Sequence, residues 1–265
     1  METLQTGSNR PPMRTPPTRR LYPQDSHSFE SDARIVGVRE ESVAFDQSCF
    51  YTGGGGQPAD EGSVRLGSGE LLEIVSVQAD PDDVLWHISA SRPLPAFLEQ
   101  PARLIVNRER RLSLMRYHTV LHVLNTIALR EYGGWITGVR IAADYSRIDF
   151  KLEGFSGALC AELERKVNAV LEGDHAVTSY YLPEAEFRRR DDLLRTLEAK
   201  PPVSQGQVRV VEIQGFDAQA CGGTHVNATP EVGRFTIFRT ENKGKLNKRL
   251  YVRLDPAEPR VISPA

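Results

Sequence analysis

Cysteine is scarce. The chain has 265 residues and three cysteines, Cys49, Cys160 and Cys221. An odd, sparse set excludes a disulfide framework and leads us to expect a reducing, cytoplasmic setting. No apolar run is long enough to span a bilayer, and the first residues lack the apolar core of a secretory leader. Charge of neither sign dominates: 33 Lys and Arg stand against 35 Asp and Glu, for a formal net charge of -2. That balance excludes a global basic field, so any polyanion must be met by local patches. What is present is ordinary for a globular protein, 40% hydrophobic and 26% charged residues, with enough chain for one large or two medium domains. No internal repeat is visible.

Residues 1–18 are rich in Pro, Thr, Asn, Arg and Gly without periodicity and read as a disordered, solvated tail. From 19 to 106 the pattern is short and β-like. Segments 33–38, 42–46, 63–66, 71–77, 84–89 and 103–106 read as strands between turn signals such as Gly67-Ser68-Gly69-Glu70 and Pro81-Asp82-Asp83. Closely spaced short strands predict a small barrel. At Asn107, a helix-capping residue, the period changes to that of a helix, and Gly133-Gly134 stops it. Strands then alternate with helices over 107–256: strands at 146–151, 176–182 and 207–213, an amphipathic helix at 157–171 and a charged helix at 183–197. A terminal hairpin, 233–240 with 249–254, closes the segment, and 257–265 reads as a C-terminal tail. The fold class is α+β: an N-terminal small β-barrel followed by an α+β domain with a mainly antiparallel sheet and packed helices.

Two short spacings carry the chemistry. His118 and His122 lie four residues apart in the long helix, on one face, and can point their imidazoles at a common ion. Cys221 and His225 lie four apart in the loop Ala220-Cys221-Gly222-Gly223-Thr224-His225, where two glycines permit a tight fold. Three imidazoles and a thiolate suit zinc. Each pair alone is more often structural or at the surface, but three of the chain's six histidines fall in these two motifs. Thr119 stands where a zinc peptidase carries its glutamate base, which disfavours peptide hydrolysis. Four protein ligands also describe a closed site, so the ion either organises the pocket, gains coordination, or loses a ligand during turnover.

A second cluster is Phe50-Tyr51-Thr52-Gly53-Gly54-Gly55-Gly56-Gln57-Pro58. It is not a phosphate-cradling loop, which requires Gly-Lys-Ser/Thr at its end. It reads as a floppy surface turn or, preferably, as a loop that covers the metal pocket. A third feature is basic: Arg108, Arg110, Arg111 and Arg116 before the histidines, and Arg239, Lys243, Lys245, Lys248, Arg249 and Arg253 near the C-terminus. Beside an active site such cations suit a phosphate-bearing partner.

In order, Phe50-Tyr51 with Gly53-Gly54-Gly55-Gly56-Gln57-Pro58, His118-Thr119-x-x-His122, Ser146-Arg147-Ile148-Asp149-Phe150, Cys221-Gly222-Gly223-Thr224-His225 and Glu241-Asn242-Lys243-Gly244-Lys245 resemble AlaX, the freestanding homologues of the editing domain of alanyl-tRNA synthetase. The resemblance runs from about Arg19 to Leu254. It implies hydrolysis of tRNA-Ala mischarged with serine, or with glycine, by an aminoacyl-tRNA deacylase with one zinc ion held by His118, His122, Cys221 and His225. His118 and Thr119 are the candidates at the reaction, Thr119 either by a hydrogen bond to substrate or, as readily, bonded back to its own helix. Thr52, Gly53, Gly54, Gly55, Gly56, Gln57, Gly222 and Thr224 would contact substrate, and Arg116, Lys243, Lys245, Lys248 and Arg249 the tRNA. One departure is that the synthetases carry a pocket glutamine where this chain has Thr137-Gly138. Two other functions fit the residues: a non-catalytic RNA-binding module with a structural zinc, and a hydrolase of small aminoacyl or acyl esters.

Overall fold

The structure, a computed structural model, describes residues 14–195, 201, 203–244 and 246–255. The expected tails at 1–18 and 257–265 lie outside these residues, apart from 14–18. There the chain is already anchored: Thr18 is buried, and its hydroxyl donates to the Phe45 carbonyl at 2.8 Å. The tail reading therefore does not extend to Thr18.

The first strand pair is short and parallel, β1 (Arg19–Arg20) on β4 (Gln47–Ser48). The barrel itself uses β2 (Glu30–Val38), β3 (Ser42–Phe45), β5 (Gly62–Leu66), β6 (Leu71–Ala79), β7 (Leu85–Ser89) and β8 (Pro101–Val106). These six close in the order β2-β3-β7-β6-β5-β8, with every pairing antiparallel. Closure leaves the sheet no free edge. Alternate residues point inward, so Val64, Leu66, Leu72, Ile74, Leu104 and Val106 fill the interior with Phe45 and Phe50. The two expected turns form where the sequence placed them: Gly69 takes φ +89° between β5 and β6, and Asp83 takes φ +62° before β7.

Helix α1 (Arg108–Tyr132) follows the barrel after one residue. The Asn107 side chain accepts from the Arg110 N–H, and Gly133, at φ +64°, ends the helix in a left-handed turn. From Tyr117 to Ala128 every residue of α1 is buried. A helix enclosed on all sides needs partners for each polar group it carries. Strands β9 (Trp135–Ile141) and β10 (Ser146–Lys151), helix α2 (Gly157–Glu172) and strand β11 (Val177–Pro183) come next, then a four-residue helix α3 (Glu184–Phe187). Strands β12 (Val203–Ser204), β13 (Gln207–Ile213) and β14 (Asp217–Ala220) lead to the terminal hairpin of β15 (Phe235–Asn242) and β16 (Asn247–Leu254).

Two antiparallel sheets result. One runs β15-β16-β10-β9, and in the other β13 pairs with β11, β12 and β14. One core joins α1 and α2 to both sheets, through Leu121, Leu124, Leu163, Phe150, Val211 and Leu250. The fold is α+β, as the sequence predicts, with two corrections. The charged helix expected over 183–197 shrinks to α3 and a single 3-10 turn, Asp191–Leu193. Of its described residues only Leu193 is buried, so no apolar stripe holds a longer helix to the body. Strands β9 and β14 are additions that the sequence pattern did not reveal.

Candidate metal centre

Helix α1 presents His118, His122 and Asn125 on one face, at successive turns. Strand β14 ends at Ala220, and the loop beyond it brings Cys221 and His225 against that face. One ligand atom from each of His118, His122, Cys221 and His225 falls within 4.8 Å of the other three, and all four residues are buried. The sulfur of Cys221 is 3.4 Å from Nε2 of His118 and 3.4 Å from Nε2 of His225. The glycines of the loop make this approach possible. A Cβ on Gly223 would sit 2.2 Å from Cε1 of His118.

Neighbouring bonds fix two of the imidazoles. The single hydroxyl hydrogen of Thr119 goes to the Met115 carbonyl at 2.9 Å, so its oxygen can only accept from its other neighbours. It accepts from the Val226 N–H at 3.3 Å and from Nδ1 of His225 at 3.1 Å. The proton of His225 is therefore on Nδ1, and its Nε2 lone pair faces the cluster. His118 has its own acceptor, Oε1 of Gln57, 2.7 Å from Nδ1.

Electrostatics prepare the set for a cation. Burial pushes the His118 pKa down to about 3, assisted by the positive charge of Arg209. His122 and His225 are held well below the ordinary histidine range, again by burial first. At neutral pH the three rings are uncharged bases. Burial pushes the Cys221 thiol up, with the Gly223 N–H and Arg209 pulling the other way. Three neutral imidazoles and one sulfur, converging and partly pre-oriented, form a donor set that can bind a metal ion.

The cluster forms part of the wall of a cleft of about 1130 Å³. His118, His122 and Cys221 line it, whereas His225 lies behind them. Thr52, Gly53, Gly54 and Gly55 line the same cleft, and Gly222 joins from the cysteine loop. Three expected substrate contacts do not line the cleft. Gly56 packs on Val139 of β9, and Gln57 and Thr224 are buried and bonded to each other. Thr119 is fully buried too, and its hydroxyl is committed to the helix and to His225.

The basic residues are not gathered at the cleft. Arg116 donates to the carbonyls of Val232, at 2.8 Å, and Asp255. Lys243 lies 3.3 Å from Glu241, Lys248 donates to Asn242 and Gly244, and Arg249 grips Asp149 with two bonds of 2.7 and 2.6 Å. Lys245 lies outside the described residues. The cleft has other cations instead: Arg19, Arg20, Arg195 and Arg209. Arg209 donates to the carbonyls of Cys221 and Gly223, which holds the cysteine loop to β13. Polar side chains in the wall include Asn125 and Gln219. Gln219 sits two residues before Cys221, so strand alternation gives it the same face. Arg209, a charge within the run Val208-Arg209-Val210-Val211, was the other available signal.

Comparison with known proteins agrees with this geometry. Residues 208–251, which carry β14, the cysteine loop and most of the hairpin, match the family described as the threonyl and alanyl tRNA synthetase second additional domain. The chain is 35% identical over 239 residues to the alanyl-tRNA editing protein AlaX-M of Methanosarcina acetivorans, covering 88% of this chain and 98% of that one. It is 31% identical over 250 residues to AlaX-M of Saccharolobus solfataricus, covering 90% and 100%. The alanine–tRNA ligase of Korarchaeum cryptofilum is 35% identical over 229 residues, which are 85% of this chain but 25% of the ligase. Most of the chain is thus similar both to alanyl-tRNA editing proteins and to one part of an alanine–tRNA ligase. The chain belongs to the AlaX-M family of alanyl-tRNA editing proteins. Among the described residues no helix is long and apolar enough to cross a membrane.

Proposed function

We propose that the protein is an aminoacyl-tRNA deacylase that removes serine, or glycine, from mischarged tRNA-Ala, with one zinc ion held by His118, His122, Cys221 and His225. The observation that carries the reading is a four-residue donor set, three of whose members line a large cleft shared with the glycine loop, in a chain of the AlaX-M family. When bound, zinc would supply a positive centre that polarises the ester and favours hydrolysis. The rest falls to the chain itself. The backbone of Gly53, Gly54 and Gly55 closes on the aminoacyl group from the barrel side. Thr52 and Asn125 are the wall groups suited to a substrate hydroxyl. The Asn125 amide nitrogen is occupied by Gln219 at 3.1 Å, while its oxygen has only a long contact of 3.5 Å from Thr126. For serine, a site that pairs a buried hydroxyl can reject the analogue lacking it by about 10⁴, which is the discrimination that sparing alanine requires; glycine, without a hydroxyl, gains nothing from it. Thr119 orients His225 rather than touching substrate. Arg19, exposed at the cleft, suits a phosphate at the 3′ end, whereas Arg20, Arg195 and Arg209 are bonded to Asp83, Asp217 and the cysteine-loop carbonyls, and Arg116, Lys243, Lys248 and Arg249 would meet tRNA only beyond the cleft.

The four-ligand count favours a second reading, an RNA-binding module whose zinc is structural. Against it, three of the four ligands face the cleft. Deacylation of seryl- and alanyl-tRNA-Ala by wild type and His118→Ala separates the two. We expect rapid release of serine, sparing of alanine, and a loss of about 100-fold or more in the variant, since even an outer ligand partner is worth 10–100-fold. Equal rates on both charged tRNAs would defeat the editing reading. Turnover of small esters without tRNA would redirect it to a simpler hydrolase.

A further inference from the structure

We propose that Gln57 is a positioning residue that couples the glycine loop to the metal-ligand set, so that loop and ion hold each other in place. The inference rests on the zinc reading above and concerns a residue whose sequence context suggested contact with substrate instead.

The bond pattern assigns every atom of the Gln57 amide. The Thr224 N–H can only donate, and it lies 3.2 Å from Oε1 of Gln57, which must therefore be the carbonyl oxygen. His118 Nδ1 is 2.7 Å from the same oxygen, so that ring nitrogen carries the proton. The Nε2 lone pair of His118 is left bare, 3.4 Å from the Cys221 sulfur. At its other end the amide donates to the Thr224 hydroxyl at 2.8 Å. Gln57, Thr224 and His118 are all buried, so no solvent can take over these bonds. Metal-bound histidines are commonly oriented through the second nitrogen in this way. Here the orienting group comes from the barrel, not from the elements that carry the ligands.

The loop side is equally constrained. The Gly54 N–H donates to the Gln57 carbonyl at 2.9 Å, and the Gln57 N–H returns the bond at 3.0 Å. Gly53, Gly54 and Gly55, which line the cleft, thus share one tight turn with the residue that orients His118. From within the turn, the Gly56 carbonyl accepts from the Ile141 N–H at 2.8 Å. Across the contact, Gly223 leaves the necessary room: a Cβ there would lie 3.0 Å from Oε1 of Gln57. A displacement of the loop must move the His118 partner, and an ion fixing His118 must steady the loop. Coupling of this kind is reciprocal.

The test uses the full chain, with zinc affinity measured by competition against a chromogenic chelator, and amide hydrogen exchange followed over residues 50–58 with and without zinc. Gln57→Ala should bind zinc about 10–100-fold more weakly, and zinc should slow exchange of the loop in wild type but not in this variant. Gln57→Glu keeps an acceptor for His118 and Thr224 and should restore both properties. Equal zinc affinity in wild type and Gln57→Ala, or a Gln57→Glu protein as impaired as Gln57→Ala, would overturn the proposal and reduce Gln57 to packing. A wild type that takes up no zinc removes the metal reading and this proposal together. Wild type that shows the coupling yet deacylates nothing supports the proposal while contradicting the editing reading.

Discussion

His87, deep in the barrel, shows what enclosure does to a single imidazole. The rings of Phe45 and Phe50 meet it edge to face at 4.9 and 5.3 Å, with Ser48 Oγ 2.8 Å from one nitrogen and the Leu85 carbonyl 3.2 Å from the other. Burial pushes its pKa from 6.5 down to about 4. The unfolded chain therefore takes up a proton between pH 6.5 and 4 that the folded chain refuses. The stabilising contribution of the neutral ring is complete above pH 6.5 and is lost as pH falls toward 4, on the order of 3 kcal/mol in all. Replacing His87 with glutamine removes this titration and leaves the metal-site histidines unchanged. We expect urea unfolding at pH 7 and pH 4.5 to show a smaller acid loss in His87→Gln than in wild type; parallel losses would refute it. Other single residues differ in how openly the sequence declares them. His118 and His122 are legible because four residues is one helical turn. Gln57 is visible only as a neighbour of glycines, because its partner Thr224 lies 167 residues away.

Elements are legible where local chemistry and tertiary packing agree. Helix α1 has a capping Asn107, apolar residues at helical spacing and Gly133 at its end, and it runs as the sequence predicts. The barrel strands are likewise declared by their turns. The segment after Pro183 misleads because Glu184 and Arg188 do pair as in a helix, yet nothing apolar carries the helix further. Strand β9 hides for the opposite reason: its burial does not alternate, and Gly138 interrupts it. That strand matters because it supports the glycine loop. A Cβ on Gly56, at φ +85°, would stand 2.8 Å from Val139 Cγ1 and 2.9 Å from its carbonyl oxygen. Gly55, at φ +58°, has nothing within 4 Å of such a Cβ. Gly55→Ala should lose only the left-handed backbone penalty, about 1–2 kcal/mol. Gly56→Ala should lose more in urea unfolding and also slow deacylation, because the loop must leave β9. Equal effects of the two variants would deny that β9 seats the loop.

The molecule as a whole is joined by a buried ion pair. Arg111 of α1 is fully buried against Asp60, which follows the glycine loop. It also donates to the Ser26 and Cys49 carbonyls at 2.9 and 2.7 Å, and Asp60 accepts from the Tyr51 N–H at 2.6 Å. One guanidinium thus ties Ser26, Cys49 and Asp60 to the helix that carries two of the candidate metal donors. The basic run at 108–111 read as a candidate phosphate contact, but burial decides otherwise for this member, since a charge so enclosed must spend itself on protein partners. Asp60→Ala leaves the cation without its counter-charge and should reduce unfolding free energy by about 3–5 kcal/mol. A loss below about 1 kcal/mol by urea titration would show that the two parts are held by apolar contact alone.

The bond between Gln57 and Thr224 also bears on when competence arises during translation. A nascent chain halted before Cys221 owns the barrel, the glycines and both α1 histidines, but neither Cys221 nor His225. The four-residue donor set is complete only once the segment beyond β14 has emerged. Fragments that end before Cys221 should therefore lack the full donor set and bind zinc far more weakly than the whole chain, which a chelator competition on such fragments checks.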